Sequence, residues 1–224
     1  MEIFIDTVEV SEVKEAVSWG VVSGVTTNPK LVSSLKGKIS LKDKILEIIK
    51  LCDGPISVEV TSDDFDGMVT EAKRYSSWHS NIVIKIPMGI EGLKAVKVLE
   101  RDCDIRTNVT AIMASNQAVL AALAGATYIS IFFARIGDMG YDATDVISTI
   151  AGLLKTSNLK AKIISGSIRH LMDINRSFEA GADIVTVPFN FLKQMSQNPR
   201  TTETISEFNN LWKGMKEKGL LSSD

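Results

Sequence analysis

One lysine stands where the chain predicts a buried strand. Residues 82–86, Ile-Val-Ile-Lys-Ile, form a short, β-branched and almost wholly apolar run, typical of a strand covered on both faces in a parallel sheet. Removing an ammonium from water is costly, so a lysine held there tends to lose its proton. The neutral amine then attacks carbonyl carbon, which is Schiff-base chemistry. Alternatively, Lys85 extends its charge into solvent or protects an edge strand from aggregation.

Two acidic residues stand near the ends of other predicted strands. Asp6 ends the first strand on the same face as Phe4, and Glu59 shares a face of the third strand with Ser57. In a barrel of parallel strands, chemistry occurs where the strands end. A lysine beside Asp6 and Glu59 is a nucleophile with two candidate proton carriers. Taken alone, an aspartate in the position of Asp6 is more often a structural residue such as a helix cap.

Further polar residues recur at the predicted strand ends. Arg135, Ser167 and Arg169 follow the sixth and seventh strands, where barrels often hold a phosphate, and guanidinium groups bind phosphate well. Alone, Arg135 is more often a surface charge. The eighth strand ends in Val187-Pro188 and offers no obvious polar group. The remaining candidates on strands or just after them are Thr26, Asn28, Asn108, Thr110, Ser130, Phe132 and Ser165.

Strand-like and helix-like segments alternate along the whole chain. This order favours a single-domain (β/α)₈ TIM barrel over an open doubly wound sheet, since no glycine-rich fingerprint follows the first strand. The predicted strands are 1–6, 24–27, 56–60, 81–87, 105–110, 128–133, 161–165 and 183–187. The predicted helices are 8–19, 39–51, 63–75, 90–100, 115–124, 141–154, 171–180, 189–195 and 202–218.

The domain prediction is a catalytic barrel over residues 1–200 followed by an extra C-terminal helix within 201–224. That helix is predicted to pack on the barrel or on a neighbouring subunit, because its apolar residues form one stripe. The stripe consists of Ile205, Phe208, Leu211, Trp212 and Met215.

Composition excludes several classes of protein. The 224 residues carry a net charge of −2, so neither nucleic acid nor a membrane surface is an expected partner. Two cysteines and two histidines, all isolated, predict no metal site and a reducing compartment, the cytoplasm. No apolar run approaches membrane-spanning length, and acidic residues near the N-terminus argue against a secretory signal.

Several short motifs in order resemble the transaldolase family. The resemblance runs from the first strand to the last. The motifs are Ile-Asp-Thr at 5–7, Gly-Val-Thr-Thr-Asn-Pro at 24–29, Val-Glu-Val at 58–60, Ile-Lys-Ile-Pro at 84–87, Asn-Val-Thr at 108–110, Ser-Ile-Phe-Phe-Ala-Arg at 130–135, Ser-Ile-Arg at 167–169 and Ala-Gly-Ala-Asp-Ile-Val-Thr-Val-Pro at 180–188.

The resemblance implies an enzyme that needs no metal or organic cofactor. Lys85 is expected to form an imine with fructose 6-phosphate or sedoheptulose 7-phosphate and to pass a dihydroxyacetone unit to an aldose phosphate in the pentose phosphate pathway. Asp6 is implied as acid and base, and Glu59 with Thr110 as holder of a catalytic water. The implied substrate-binding residues are Thr26, Asn28, Asn108, Ser130 and Phe132, and the implied phosphate-binding residues are Arg135, Ser167 and Arg169.

Within this family the alternative is a fructose-6-phosphate aldolase, which uses free dihydroxyacetone. That subgroup has glutamine in place of Glu59 and tyrosine in place of Phe132, so this chain resembles the transferases. Ile131 stands where longer relatives have proline, and its side chain is expected to point outward. Two other hypotheses remain, namely a phosphosugar isomerase that forms no covalent adduct and a silent sugar-phosphate binder. Short relatives form ring-based assemblies, commonly decamers, so a homo-oligomer is expected.

Overall fold

The computed structural model describes residues 1–35, 37 and 40–220. Across these residues the strands form one closed parallel barrel in sequence order, so the predicted (β/α)₈ architecture is confirmed. The strands are β1 (Glu2–Asp6), β2 (Val22–Thr26), β3 (Ile56–Glu59), β4 (Ile82–Pro87), β5 (Thr107–Ile112), β6 (Tyr128–Phe132), β7 (Lys162–Gly166) and β8 (Ile184–Val187).

Helices follow the strands and cover the outside of the barrel. None of the described helices combines the length and hydrophobicity that crossing a membrane requires. They are α1 (Val10–Ser18), α2 (Pro29–Ser33), α3 (Leu41–Ile49), α4 (Phe65–Ser76), α5 (Ile90–Asp102), α6 (Ser115–Ala124), α7 (Phe133–Asp138), α8 (Ala143–Thr156), α9 (Leu171–Glu179), α10 (Phe189–Met195) and α11 (Pro199–Glu217).

Short polar side chains start several of these helices. The Asp64 side chain accepts a hydrogen bond from the amide of Gly67 at 2.9 Å, and Ser40 caps α3 in the same manner. Such caps satisfy amides that have no partner inside the helix. The predicted helix 39–51 is therefore observed from Leu41, while Ile39 lies outside the described residues. The sequence prediction missed the two shortest segments after strands, α2 and α7.

The barrel interior is apolar in its middle layer and polar toward the end where the strands finish. The apolar layer consists of Phe4, Val83, Tyr128, Ile164 and Ile184. A side chain at Gly24 would collide with the Phe4 ring, because a Cβ there would lie 2.7 Å from it. The glycine therefore leaves room for the ring to fill the barrel beneath the polar layer. Two residues further along each of these five strands, the interior position holds a polar residue or, in β7, a glycine.

The opposite parity of the strands builds the main core between barrel and helices. Ile84 and Ile86, which flank Lys85, are fully buried there. Ile131 is also fully buried in this layer, so its expected outward orientation is confirmed. A strand apolar on its outer face and polar on its inner face holds a site without weakening its contacts with the helices.

A bulge interrupts β5 near its end. Val109 pairs with Ile129, but the next pair is Ile112 with Ile131, so β5 contains one extra residue. Ala111 has φ 60, a left-handed conformation that is unusual for a residue with a Cβ. The bulge lets Thr110 belong to the polar interior while Ile112 joins the outer core.

Helix α11 leaves its apolar stripe uncovered. None of its residues is buried. The stripe residues are between 39% and 64% exposed: Ile205, Phe208, Leu211, Trp212 and Met215. The helix begins at Pro199, close to the predicted boundary at residue 201, and residues 221–224 of the predicted C-terminal segment lie outside the described residues.

Candidate active site

A cavity of about 320 Å³ opens at the end of the barrel where the strands finish. We call it the Lys85 cavity. It is lined by Asp6, Thr26, Asn28, Pro29, Lys30, Glu59, Lys85, Ser130, Phe132, Arg135, Gly166, Ser167 and Thr186.

Lys85 lies in the interior of the barrel with 4% of its surface exposed. Its Nζ is 3.1 Å from Glu59 Oε2 and donates a hydrogen bond to the carbonyl of Thr27 at 3.3 Å. Glu59 and Lys85 are direct partners in the β3–β4 ladder, so the backbone places the carboxylate and the amine side by side. Glu59 can therefore accept or return protons at this nitrogen.

Asp6 is the second carboxylate of the cavity. Burial raises its pKa above the usual aspartate value, and the charge of Glu59 acts in the same direction. The positive charge of Lys85 and a 2.8 Å hydrogen bond from Thr26 Oγ1 oppose this rise without cancelling it. Asp6 thus binds a proton more readily than an exposed aspartate, as an acid-base catalyst requires.

Asn108 is fully buried between two hydroxyl groups. Its amide nitrogen donates to Ser57 Oγ at 3.2 Å, and its carbonyl oxygen accepts from Ser130 Oγ at 2.8 Å. Asn108 also pairs with Lys85 in the β4–β5 ladder. Strands β3, β5 and β6 are therefore joined through one amide beside the amine, and Ser130 itself lines the cavity.

Thr110 is the exception among the buried hydroxyls. It is 1% exposed, and its Oγ1 has no hydrogen-bond partner among the described residues. A buried hydroxyl without a partner is costly, by about 1–3 kcal/mol, and such a group in a native structure calls for an explanation, such as a catalytic role or an ordered water. Thr110 lies on the inner parity of β5, two residues beyond Asn108.

Three residues from the ends of β6 and β7 form one side of the cavity. The Arg135 guanidinium lies over the Phe132 ring, 5.7 Å from its centre. Ser165 faces outward, where its hydroxyl contacts that of Ser177 on α9 at 2.7 Å. Strand alternation would turn Ser167 outward as well. Ser167 lines the cavity because the chain leaves β7 there with φ 58.

Arg169 is the one predicted phosphate-binding residue that the structure does not bring to the Lys85 cavity. Its guanidinium forms two hydrogen bonds with Asp138, at 2.8 and 2.9 Å. Both residues line an adjacent cavity of about 570 Å³, which we call the Arg169 cavity. The predicted cluster of three is thus, in this structure, a pair of residues, Arg135 and Ser167.

Sequence reasoning missed two polar side chains of the cavity, those of Thr186 and Lys30. The Thr186 hydroxyl lies 2.5 Å from that of Thr26, so strand β8 does contribute a polar group. Strict alternation from Ile184 would have found it. Lys30 could not be assigned this way because it follows β2 on the short helix α2. Asn28 begins that helix by accepting a 3.0 Å hydrogen bond from the amide of Leu31.

Comparison with known proteins gives a consistent set of similarities. Residues 3–222 match a family model described as transaldolase/fructose-6-phosphate aldolase. A "Probable transaldolase" of Carboxydothermus hydrogenoformans is 49% identical over 216 residues, covering 96% of this chain and 100% of the relative. One from Thermoplasma acidophilum is 44% identical over 223 residues, covering 99% of each chain.

One solved structure supports the barrel fold alone. A putative lactate oxidase of Pediococcus acidilactici superposes with a TM-score of 0.59 at 14% sequence identity. The match covers 84% of this chain and 62% of that chain. At this identity the likeness concerns the architecture and carries no information on chemistry.

Proposed function

The chain belongs to the transaldolase/fructose-6-phosphate aldolase family, and from that premise we propose that it transfers a dihydroxyacetone unit between sugar phosphates through an imine on Lys85. The donor is fructose 6-phosphate or sedoheptulose 7-phosphate, and the acceptor is an aldose phosphate. The observation that carries the proposal is the position of Lys85, an amine 4% exposed and 3.1 Å from a carboxylate inside the barrel.

Lys85 attacks the ketone carbon of the donor and forms a protonated imine. The imine accepts the electron pair released when the C3–C4 bond breaks, which neither a hydroxyl nor a thiol adduct would do. The three-carbon unit then stays on Lys85 as an enamine until it adds to the second aldehyde. Hydrolysis of the resulting imine returns the free amine.

Asp6 removes the proton of the C4 hydroxyl during cleavage and returns it during addition. Its raised pKa supports this role, because a carboxylate that binds a proton readily is the stronger base. The 2.8 Å hydrogen bond from Thr26 fixes the carboxylate on the side of the cavity next to β2.

Glu59 exchanges protons with the nitrogen and with the water that imine formation releases and hydrolysis consumes. Its contact with Lys85 at 3.1 Å supports the first exchange. The unpartnered hydroxyl of Thr110 is the group we propose to hold that water together with Glu59. Asn108 and Ser130, already oriented by each other, hold hydroxyl groups of the donor.

Arg135 and Ser167 bind the phosphate at the far end of the sugar. A guanidinium at the mouth of a partly closed cavity attracts a dianion and gives it a directional partner. We propose that this site serves donor and acceptor phosphates in turn. The aldolase subgroup has tyrosine in place of Phe132 and glutamine in place of Glu59. Both residues of this chain therefore favour transfer to an aldose over release of free dihydroxyacetone.

Borohydride trapping tests the proposal. Reduction in the presence of fructose 6-phosphate is expected to leave a dihydroxyacetone-sized mass on Lys85, located by peptide mass spectrometry. An isomerase or a silent binder would leave the chain unmodified, and that result would reject the proposal. Transfer to erythrose 4-phosphate is expected to exceed release of free dihydroxyacetone, and the reverse ratio would assign the chain to the aldolase subgroup.

We also propose that α11 packs against a second copy of the chain. Its stripe of five large apolar residues is at least 39% exposed, and exposed patches of this kind commonly mark protein interfaces. Light scattering is expected to give a mass above that of one chain, reduced in a variant carrying Phe208→Ser and Trp212→Ser. A variant carrying Glu207→Gln and Lys213→Gln, on the same helix outside the stripe, should keep the larger mass. A monomeric wild-type protein would reject this proposal.

A further inference from the structure

The contact between Asp138 and Arg169 has the geometry of a specific recognition pair. Nη1 and Nη2 of the arginine each donate to one carboxylate oxygen, at 2.8 and 2.9 Å. This two-pronged arrangement is the one arginine also uses to bind phosphate. While the pair is intact, two of the donors of Arg169 are therefore engaged by a side chain of the protein.

Asp138 stands between two arginines. It ends α7 three residues after Arg135, and residues at this spacing lie on one side of a helix. Both guanidinium groups lower the pKa of Asp138, with Arg169 the larger influence. The Asp138 carboxylate thus pairs with Arg169, which lines the Arg169 cavity, and lies on the same side of α7 as Arg135, which lines the Lys85 cavity.

Arg169 is connected to the Lys85 cavity through the backbone. It lies two residues after Ser167, which lines that cavity. The amide of Arg169 is itself fixed by a 3.1 Å hydrogen bond to Asp173. Since its backbone is fixed, whether Arg169 contributes to the phosphate site depends on where its long, half-exposed side chain points.

We propose that Asp138 competes with the substrate phosphate for Arg169 and so sets the affinity of the enzyme for the phosphorylated end of its substrates. This inference rests on the proposed function. An exposed ion pair contributes little to stability, so a phosphate dianion held by Arg135 and Ser167 can displace the single charge of Asp138. Arg169 then turns from its carboxylate to the phosphate.

The structure offers a matched control for this idea. Arg176 forms a similar exposed pair with Asp142, at 2.9 Å, and both line the Arg169 cavity. Asp142 also caps α8 by accepting from the amide of Thr144, and asparagine caps helices as well as aspartate does. Asp142→Asn therefore removes one charge from the same cavity and leaves the Asp138–Arg169 pair intact.

The test is the affinity for inorganic phosphate, measured by calorimetry on the wild type and on Asp138→Asn. The variant is expected to bind phosphate about two- to five-fold more tightly, the range given by the strength of an exposed ion pair. KM for fructose 6-phosphate should fall by a similar factor with kcat unchanged, whereas KM for an unphosphorylated aldehyde acceptor should stay the same. Asp142→Asn should match the wild type in each measurement.

Adding Arg169→Gln to Asp138→Asn should abolish the gain, because Asp138 acts through that guanidinium. Weaker phosphate binding by Asp138→Asn would show that the carboxylate positions Arg169 for the phosphate, and equal binding would show a surface pair without a role. Either result overturns the inference. Calorimetry needs no turnover, so failure here is distinct from a missing borohydride adduct on Lys85, which concerns the proposed function.

Discussion

The two ends of the barrel use their carboxylates in opposite ways. At the end where the strands begin, Glu100 of α5 accepts hydrogen bonds from the amides and hydroxyls of both Thr107 and Thr127, at 2.6–2.9 Å. At the end where the strands finish, Asp6 and Glu59 lie within a cavity around an amine. The first carboxylate has every partner supplied by the protein, and the other two face a space that a substrate can enter.

This contrast teaches how one fold separates stability from chemistry. Glu100 joins the starts of β5 and β6, so removing it would leave the buried donors of Thr107 and the half-buried donors of Thr127 without partners. Among the described residues, the cavity end carries a buried lysine, an aspartate with a raised pKa and a buried hydroxyl without a partner, all of which cost stability. Such costs concentrate at functional sites. Substitutions at the two ends should therefore affect different measurements.

The largest expected effect is on activity, at the cavity end. Lys85→Met should lower the transfer rate by at least about 10³-fold, since Lys30, the other lysine that lines the cavity, lies exposed on α2 and not in the barrel interior beside Glu59. Circular dichroism should show a folded barrel. Lys162→Met is the matched control, because Lys162 also lies on a strand and contacts a carboxylate, Glu2 at 2.8 Å, but at the opposite end. Normal turnover by a folded Lys85→Met protein would reject the nucleophile.

The next effect concerns stability, at the end where the strands begin. Glu100→Ala should lower the free energy of unfolding by about 3 kcal/mol, because four donors lose one shared acceptor. Urea denaturation would measure it. Turnover per folded molecule should stay normal. A large loss of turnover with unchanged stability would contradict the separation of the two ends.

A smaller effect on activity is expected at the second carboxylate of the cavity. Glu59→Gln keeps the shape of the side chain but removes the base beside Lys85, so kcat should fall by about 10²-fold. Single-turnover measurements should place the loss in imine formation and hydrolysis. Glu2→Gln, which alters the pair with Lys162, should leave these rates unchanged, and an unchanged rate in Glu59→Gln would remove Glu59 from the mechanism.

The smallest effect is a gain of stability in Asp6→Asn. In the folded protein the pKa of Asp6 is raised above 3.8, its usual value in an unfolded chain. The wild type therefore loses stability as the pH rises from the pKa of the unfolded state through the pKa of the folded state. The variant lacks this titration, so its advantage should grow with pH and level off at about 1 kcal/mol. Melting curves at several pH values would measure it. An advantage that is largest in acid would contradict the raised pKa.

Alternation along strands was enough to predict most of the site. Asp6, Glu59, Lys85 and Ser130 lie on interior positions of regular strands, where a two-residue period fixes the direction of each side chain. The same alternation, counted from Ile184 along β8, would also have identified Thr186 as an interior residue. The barrel itself followed from the alternation of strand-like and helix-like segments.

Long side chains and irregular backbone could not be predicted in this way. The direction of Arg169 depends on Asp138, a residue on another element, and no local pattern reports such a contact. Ser167 reaches the cavity only through a left-handed backbone conformation. Helix α7, which carries Arg135 and Asp138, is six residues long and follows β6 directly. Its pattern was too short to show a helical period.

The bulge at Ala111 shifts the side-chain alternation of β5 by one residue. Before the bulge, Asn108 and Thr110 face the barrel interior while Val109 packs in the outer core, and after it Ile112 also packs in the outer core. A variant lacking Ala111 would keep Thr110 and Ile112 on their present faces, whereas straightening the strand with the alanine retained would turn an isoleucine into the polar interior. Engineers who shorten or lengthen this strand should therefore count from residue 111 in each direction.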